Sequence, residues 1–304
     1  MISVMPTRFD GPIDATRLYE RWEDRIEGWD DFQRVVDTLT TLYPYRGFVW
    51  RGQANASWGL HSSLARAIER VKNEPATEDD LVRAEKKLLR LARIDWRLDG
   101  TPALPLFAQM QHVGAPTRLL DVTFNPLIAA WFAVSRDDEC DHLDGRLLVF
   151  VDDNEPLQLN SLWKTNTPRW HQLKSDSARR VQQWGTGAGR KIWRPPALHA
   201  RIPAQNAAFL LDGAPVFADT GWNDLTAAQM REFSSIPLRL GRANTDRLAR
   251  ADAPVFTYRI TVDGKKEIRS RLEDRFGYHF ASVYADIEGL ATYAHRWPDK
   301  IVGD

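Results

Sequence analysis

Hydrophobic positions change period several times along the chain, and each change marks an element. Over residues 30–42 (DDFQRVVDTLTTL), Phe32, Val35, Val36 and Leu39 recur at helical spacing, and Phe48-Val49-Trp50 follows as a short strand. Leu64, Ala67 and Ile68 place the next helix. A long helix is predicted over residues 77–98, where Thr77 supplies a cap, acids fill the first turn, and Leu81, Ala84, Leu88, Leu91 and Ala92 form a stripe. Gly100-Thr101-Pro102 ends it. Residues 117–123 read as a strand with Thr117, Leu119, Asp121 and Thr123 on one face. Asn125 then has N-cap chemistry with Pro126 as the first helical residue, and Leu127, Ile128, Ala130, Trp131, Phe132 and Val134 make that helix apolar nearly all round, hence buried. Strands are expected at 146–151, 207–211 and 255–262, and helices at 225–233, 265–276 and 287–294. Short strands without a regular βαβ alternation predict an α+β fold, a mixed sheet with surrounding helices.

One stretch breaks the pattern. Residues 152–196 carry Trp163, Trp170, Trp184 and Trp193 among Gly, Pro and the bases Lys164, Arg169, Lys174, Arg179, Arg180, Arg190, Lys191 and Arg194, with no clear period. The organisation expected is an N-terminal helical segment (1–46), a first core segment (47–151), this irregular tryptophan-rich insertion (152–196) and a C-terminal segment that completes the core (197–304). The insertion either covers the core or pairs base stacking with phosphate contacts.

The 304 residues hold 41 Lys plus Arg against 41 Asp plus Glu, so no global field draws the molecule to nucleic acid or an anionic membrane. The single cysteine, Cys140, forms no internal disulfide, and the N-terminus lacks a signal-like apolar core, which together predict a soluble cytoplasmic protein. Cys140 lies in the polar run 136–144, read as a solvated loop; no spaced Cys and His pairs suggest a metal site.

Candidate chemistry concentrates in two places. In FVWRGQ, alternation puts Arg51 beside Val49 and opposite Phe48 and Trp50; Gly52 marks a turn or a close approach, and Gln53 adds an amide. The planar fork of Arg51 suits a carboxylate or a phosphate. In QHVGAPTRLLDVTFNP, Asp121 inside an apolar run needs a partner, for which Arg51 or Arg118 is suited, and Thr123 precedes a helix N-terminus. His112 closes a helix and can act as acid, base or ligand-orienting group near neutral pH.

FVWRGQ with Trp58, Leu60, Ser63-Leu64 and Arg66 resembles the opening signature of the FRG-domain family, and residues 111–123 with Asn125-Pro126 and 129–133 resemble its second signature. Arg201-Ile202-Pro203-Ala204-Gln205 and the run from Tyr284 to Ala291 resemble two further family segments, extending the likeness over residues 48–293. The Arg51-Gly52 pair at a strand end is also similar to the first motif of arginine-containing ADP-ribosyltransferases, and Asp121-Val122-Thr123 with the helix after it to their second. That resemblance implies an NAD-binding enzyme, a toxin or phage-defence effector, with NAD as cofactor and Arg51, His112, Asp121 and Thr123 as catalytic residues. Gln53, Arg66, Gln111, Thr117, Arg118, Asn125, Arg201 and Gln205 would bind the ligand, with a nucleic acid or protein as acceptor, no metal and no membrane. The third transferase motif needs a late glutamate, for which Glu232, Glu267 and Glu288 are the carriers available. The alternative is a module of the same family that binds a nucleotide or nucleic acid without chemistry.

Overall fold

A computed structural model describes residues 13–135, 139–152, 165–197, 199–216, 224–243 and 254–302. Trp163, Lys164 and the run 136–138 lie outside the described residues.

Among the described residues, seven strands form one sheet: β1 (Glu23–Ile26), β2 (Gly47–Gln53), β3 (Leu120–Thr123), β4 (Gly145–Asp152), β5 (Lys191–Trp193), β6 (Ala207–Leu211) and β7 (Val255–Ile260), in the order β1-β7-β4-β2-β3-β6-β5. Only β1 and β7 run parallel; every other pair is antiparallel. Helices surround this mixed sheet, which makes the fold α+β. No helix among the described residues is long and apolar enough to cross a membrane.

The period-2 pattern of the central strands divides them between two cores. Leu147, Val149 and Val151 of β4, with Trp50 of β2 and Phe256, Tyr258 and Ile260 of β7, face the helices Trp29–Leu42, Pro126–Val134 and Val262–Phe276. Leu148 and Phe150 of β4, with Val49, Leu120, Val122 and Leu210, face the other side under Leu60, Met230, Ile236 and Leu238. Both faces are therefore covered, and the strands read as continuous apolar runs rather than as alternations.

Gly52 does not turn the chain; β2 continues through it to Gln53. A Cβ at this position would meet Ala129 O and lie 2.6 Å from Ala133 N, so its bare backbone lets the helix Pro126–Val134 settle directly on the strand. Gly145 on the neighbouring strand does the same, its Cβ position being 2.6 Å from Ala133 O. The helix starts as its sequence dictates, with Asn125 Oδ1 accepting from Leu127 N and Pro126 in its first turn.

The predicted strand over 117–123 is shorter, because Thr117 turns away to bond Ser63, its N–H donating to Ser63 Oγ at 3.0 Å. The helix expected over 77–98 is Glu78–Ile94, opened by a reciprocal capping box between Thr77 and Asp80. In the loop expected to be solvated, Glu139 and His142 are exposed, but Cys140 is buried, its carbonyl accepts from Lys265 Nζ at 2.8 Å, and Asp141 pairs with Arg269.

The tryptophan-rich stretch contributes to the core. Trp170, Trp184 and Trp193 are buried with Leu104, Phe107 and Phe209, and Trp193 belongs to the edge strand β5. These three indoles are at most 4% exposed.

Candidate functional site

β2 and β3 make a single residue pair, Trp50 with Thr123, before their ladder stops. Arg51 Nη1 instead donates to the carbonyl of Asp121 at 2.7 Å, and its Nε has no hydrogen-bond partner among the described residues. A cleft of ≈ 320 Å³ opens at this break, lined by residues of β2, β3 and β6, the helix Ala103–His112, the turn around Arg201, and Tyr284. Its wall is aromatic and apolar at Trp50, Phe132, Ile202, Phe209 and Tyr284, and polar at Arg51, Gln111, His112, Asp121, Thr123, His199, Arg201 and Gln205.

Each polar group is held by a short chain of contacts. Thr117 gives its hydroxyl proton to Gln111 Oε1, which turns the Gln111 amide so that Nε2 donates to Asp121 Oδ2 at 2.9 Å and to Leu119 O at 3.2 Å. Asp121 has no ion-pair partner among the described residues and is exposed, so its carboxylate faces the cleft with acceptor capacity to spare. Thr123 is committed to the framework: its hydroxyl donates to Gln205 O at 2.6 Å and accepts from Asn125 N at 3.0 Å. Gln205 Nε2 donates to Val283 O at 3.1 Å. Burial pulls the pKa of the Arg51 guanidinium down, with Asp121 and Tyr19 opposing.

At the far rim, the His112 and His199 rings stack with centroids 3.8 Å apart, and Arg201 Nη2 pairs with Asp286 Oδ1 at 2.7 Å. Arg201 also lies over the Tyr284 ring, 4.7 Å from its centroid. Burial, then the charges of His199 and Arg201, lower the His112 pKa against the pull of Asp286 and Glu288. Burial raises the Tyr284 phenol, with Arg201 opposing and Asp121 adding to the rise.

Of the twelve candidates, Arg51, Gln111, His112, Asp121, Thr123, Arg201 and Gln205 line the cleft. Five do not. Arg118 is the clearest correction: it neither pairs with Asp121 nor reaches the cleft, but donates from Nε and Nη2 to Glu85 at 2.6 and 3.0 Å and from Nη1 to Glu78 at 2.8 Å. Gln53 is buried and donates from Nε2 to Gly59 O at 3.2 Å. Arg66 donates to His61 O at 2.5 Å, Thr117 positions Gln111, and the Asn125 side chain caps its helix and donates to Tyr278 Oη at 2.9 Å. Arg51 meets Asp121 through the carbonyl of Asp121, to which its Nη1 donates, and not through an ion pair with the carboxylate. None of Glu232, Glu267 and Glu288 lines the cleft.

Sequence reasoning missed His199, Phe132 and Tyr284 as cleft residues. Phe132 carried only a core signal, and His199 stands alone in an irregular stretch without a period to place it. Tyr284 was visible only as the start of a family-like run.

Among known proteins, the family model of the FRG domain matches residues 46–142. No curated protein and no solved structure matches the chain.

Proposed function

We propose that this chain, which carries an FRG domain over residues 46–142, binds a nucleotide of the NAD class in its cleft and acts on it as an ADP-ribosyltransferase-like enzyme. The observation that carries the reading is one pocket in which an arginine with an unspent Nε and an unpaired aspartate face a wall of aromatic rings. Aromatic faces suit a planar base, arginine suits pyrophosphate, and a carboxylate with free lone pairs suits ribose hydroxyls. The volume lies at the lower end of small-molecule sites, enough for one nucleoside half of a dinucleotide.

In this reading Arg51 and Arg201 hold the phosphates and Asp121 holds the ribose. The bond from ribose C1′ to the nicotinamide nitrogen breaks, and nicotinamide leaves with the bonding electron pair. The Asp121 carboxylate stabilises the oxocarbenium-like charge left on the sugar. The acceptor's nucleophilic atom forms the new bond at C1′ and, as the charge on the sugar disappears, gives its proton to the Asp121 carboxylate. Asp121 takes the part for which the transferases use a late glutamate, being the one carboxylate among the described residues lining the cleft. Thr123 and Gln205 set the spacing of β3 and β6 beneath the ligand.

Calorimetric titration with NAD and with ADP-ribose, beside chromatographic assay of released nicotinamide, tests the reading. Binding of both, with nicotinamide release that Asp121→Asn abolishes, is expected. Binding without release leaves a nucleotide-binding module without chemistry. Absence of binding by either compound, or equal binding by Arg51→Lys, overturns the nucleotide assignment.

A further inference from the structure

At the rim of the cleft, two buried polar atoms face one another without a hydrogen bond. His112 Nε2 and Asp286 Oδ2 lie 3.6 Å apart, their side chains only 8% and 10% exposed, and neither has a hydrogen-bond partner among the described residues. A separation of 3.6 Å is too long for a hydrogen bond. Leaving such groups idle in a buried place is costly.

Asp286 explains how its idle oxygen is aimed. It caps the helix Ile287–Arg296, and Oδ1 accepts from both Gly289 N at 2.8 Å and Arg201 Nη2 at 2.7 Å. That double commitment fixes the carboxylate plane and leaves Oδ2 turned toward the imidazole. Glu288, in the first turn of the same helix, brings a second carboxylate: one ligand atom from each of His112, Asp286 and Glu288 lies within 4.8 Å of the others.

We propose that His112, Asp286 and Glu288 bind a divalent transition-metal ion of the Zn²⁺ or Mn²⁺ class. The distances suit it. Metal–nitrogen and metal–oxygen bonds of about 2.1 Å at a tetrahedral angle set two ligand atoms about 3.4 Å apart, close to the 3.6 Å already present. An imidazole nitrogen with two carboxylates selects against Mg²⁺ and Ca²⁺, which prefer all-oxygen shells. Arg201 supports one ligand from behind, as outer partners of metal-bound carboxylates do, while its charge beside the ion lowers the affinity. Three protein ligands with Glu288 exposed leave an open coordination position. His112 also lines the cleft, so that position borders the pocket. The site stands whether or not the pocket takes a nucleotide.

Sequence spacing hid it, because the imidazole and the carboxylates lie on helices far apart in the chain and no Cys or His pair announces them.

Equilibrium dialysis of the chelator-stripped full chain against Zn²⁺ and Mn²⁺, with no nucleotide present, tests the proposal. One ion per chain is expected, and His112→Gln and Glu288→Gln each weaken uptake at least tenfold. Glu288→Gln alters only an exposed side chain, so its unchanged thermal melt separates lost ligation from misfolding. In the Co²⁺-loaded protein, a hyperfine-shifted imidazole proton should vanish in His112→Gln. Less than stoichiometric uptake by the unsubstituted chain, or uptake that survives either substitution, overturns the site.

Discussion

Arg118 and Arg51 come from the two signatures of the same FRG domain, the first buried and the second half-buried, and they spend their donors differently. Arg118 places its guanidinium between Glu78 and Glu85, which also accept from the indole N–H groups of Trp184 and Trp170 at 3.0 and 2.8 Å. His171 Nε2 lies 2.9 Å from Glu85, and Ala214 N donates to Glu78 at 2.7 Å. Burial would lower the Arg118 pKa, but Glu78 and Glu85 outweigh it and hold the charge firmly. Arg51 makes one bond to a carbonyl and keeps Nε without a partner. The first is a knot that ties the helix Glu78–Ile94 to the tryptophan-rich stretch; the second holds capacity in reserve beside a cavity. Satisfaction of donors, more than burial or motif membership, separates a structural arginine from a ligand-binding one.

The strongest way to break that comparison is Arg118→Met. Leaving two buried carboxylates unpaired should cost about 3–5 kcal/mol in urea unfolding, with NAD binding per folded molecule unchanged. An unchanged midpoint with lost binding would reverse the roles of the two arginines.

Acid should loosen the knot by a smaller amount, because protonating one carboxylate leaves the other in place. Burial alone would raise the Glu85 pKa, but the charge of Arg118 and the hydrogen bonds from His171 and Arg118 hold it below the usual value. A depressed folded pKa means that the stabilisation is complete above the unfolded value of about 4.3 and is lost as pH falls through the folded one. Urea midpoints should therefore fall below about pH 4 in the parent chain, and Glu85→Gln should lessen that acid loss.

Arg51→Lys keeps the charge and removes the fork. NAD affinity should drop ten- to a hundredfold, about 1.5–3 kcal/mol, in calorimetric titration, with little change in melting temperature. Strong destabilisation with normal binding would make Arg51 a second structural arginine.

The smallest effect is expected from Thr117→Val, which frees the Gln111 amide to rotate away from Asp121. A loss of about 0.5–1 kcal/mol in ligand binding, two- to fivefold, should appear in the same titration. No change would detach Gln111 from the positioning of Asp121.

Most of the fold was legible where one residue type enforces a local geometry. Asn125-Pro126 fixed a helix start, Thr77 with its acidic turn fixed another, and the apolar runs of β4, β6 and β7 were long enough to read as strands. β1 and β5 were not legible. Glu23–Ile26 holds three charged residues, of which Glu23 accepts from Arg146 and Arg259 and Asp24 pairs with Arg242, and Lys191–Trp193 is too short to show a period. For the site, sequence pointed to residues that share a cavity but not to their partners. Asp121 was assigned an arginine through its charge, whereas the contact runs through its carbonyl; Arg118 has the same chemistry as Arg51 and differs only by Glu78 and Glu85, which are distant in sequence.

The order of the strands sets a limit on what can be cut from this protein. Residues 46–142 contribute β2 and β3, which share one residue pair, while their main neighbours β4 and β6 come from beyond that stretch. The pocket straddles the same boundary, taking Arg51, Gln111, His112 and Asp121 from one side and His199, Arg201, Gln205 and Tyr284 from the other. Excised, the family segment would keep its signature and lose both its sheet and half its cavity. Here the unit that inheritance makes recognisable is smaller than the unit that folds.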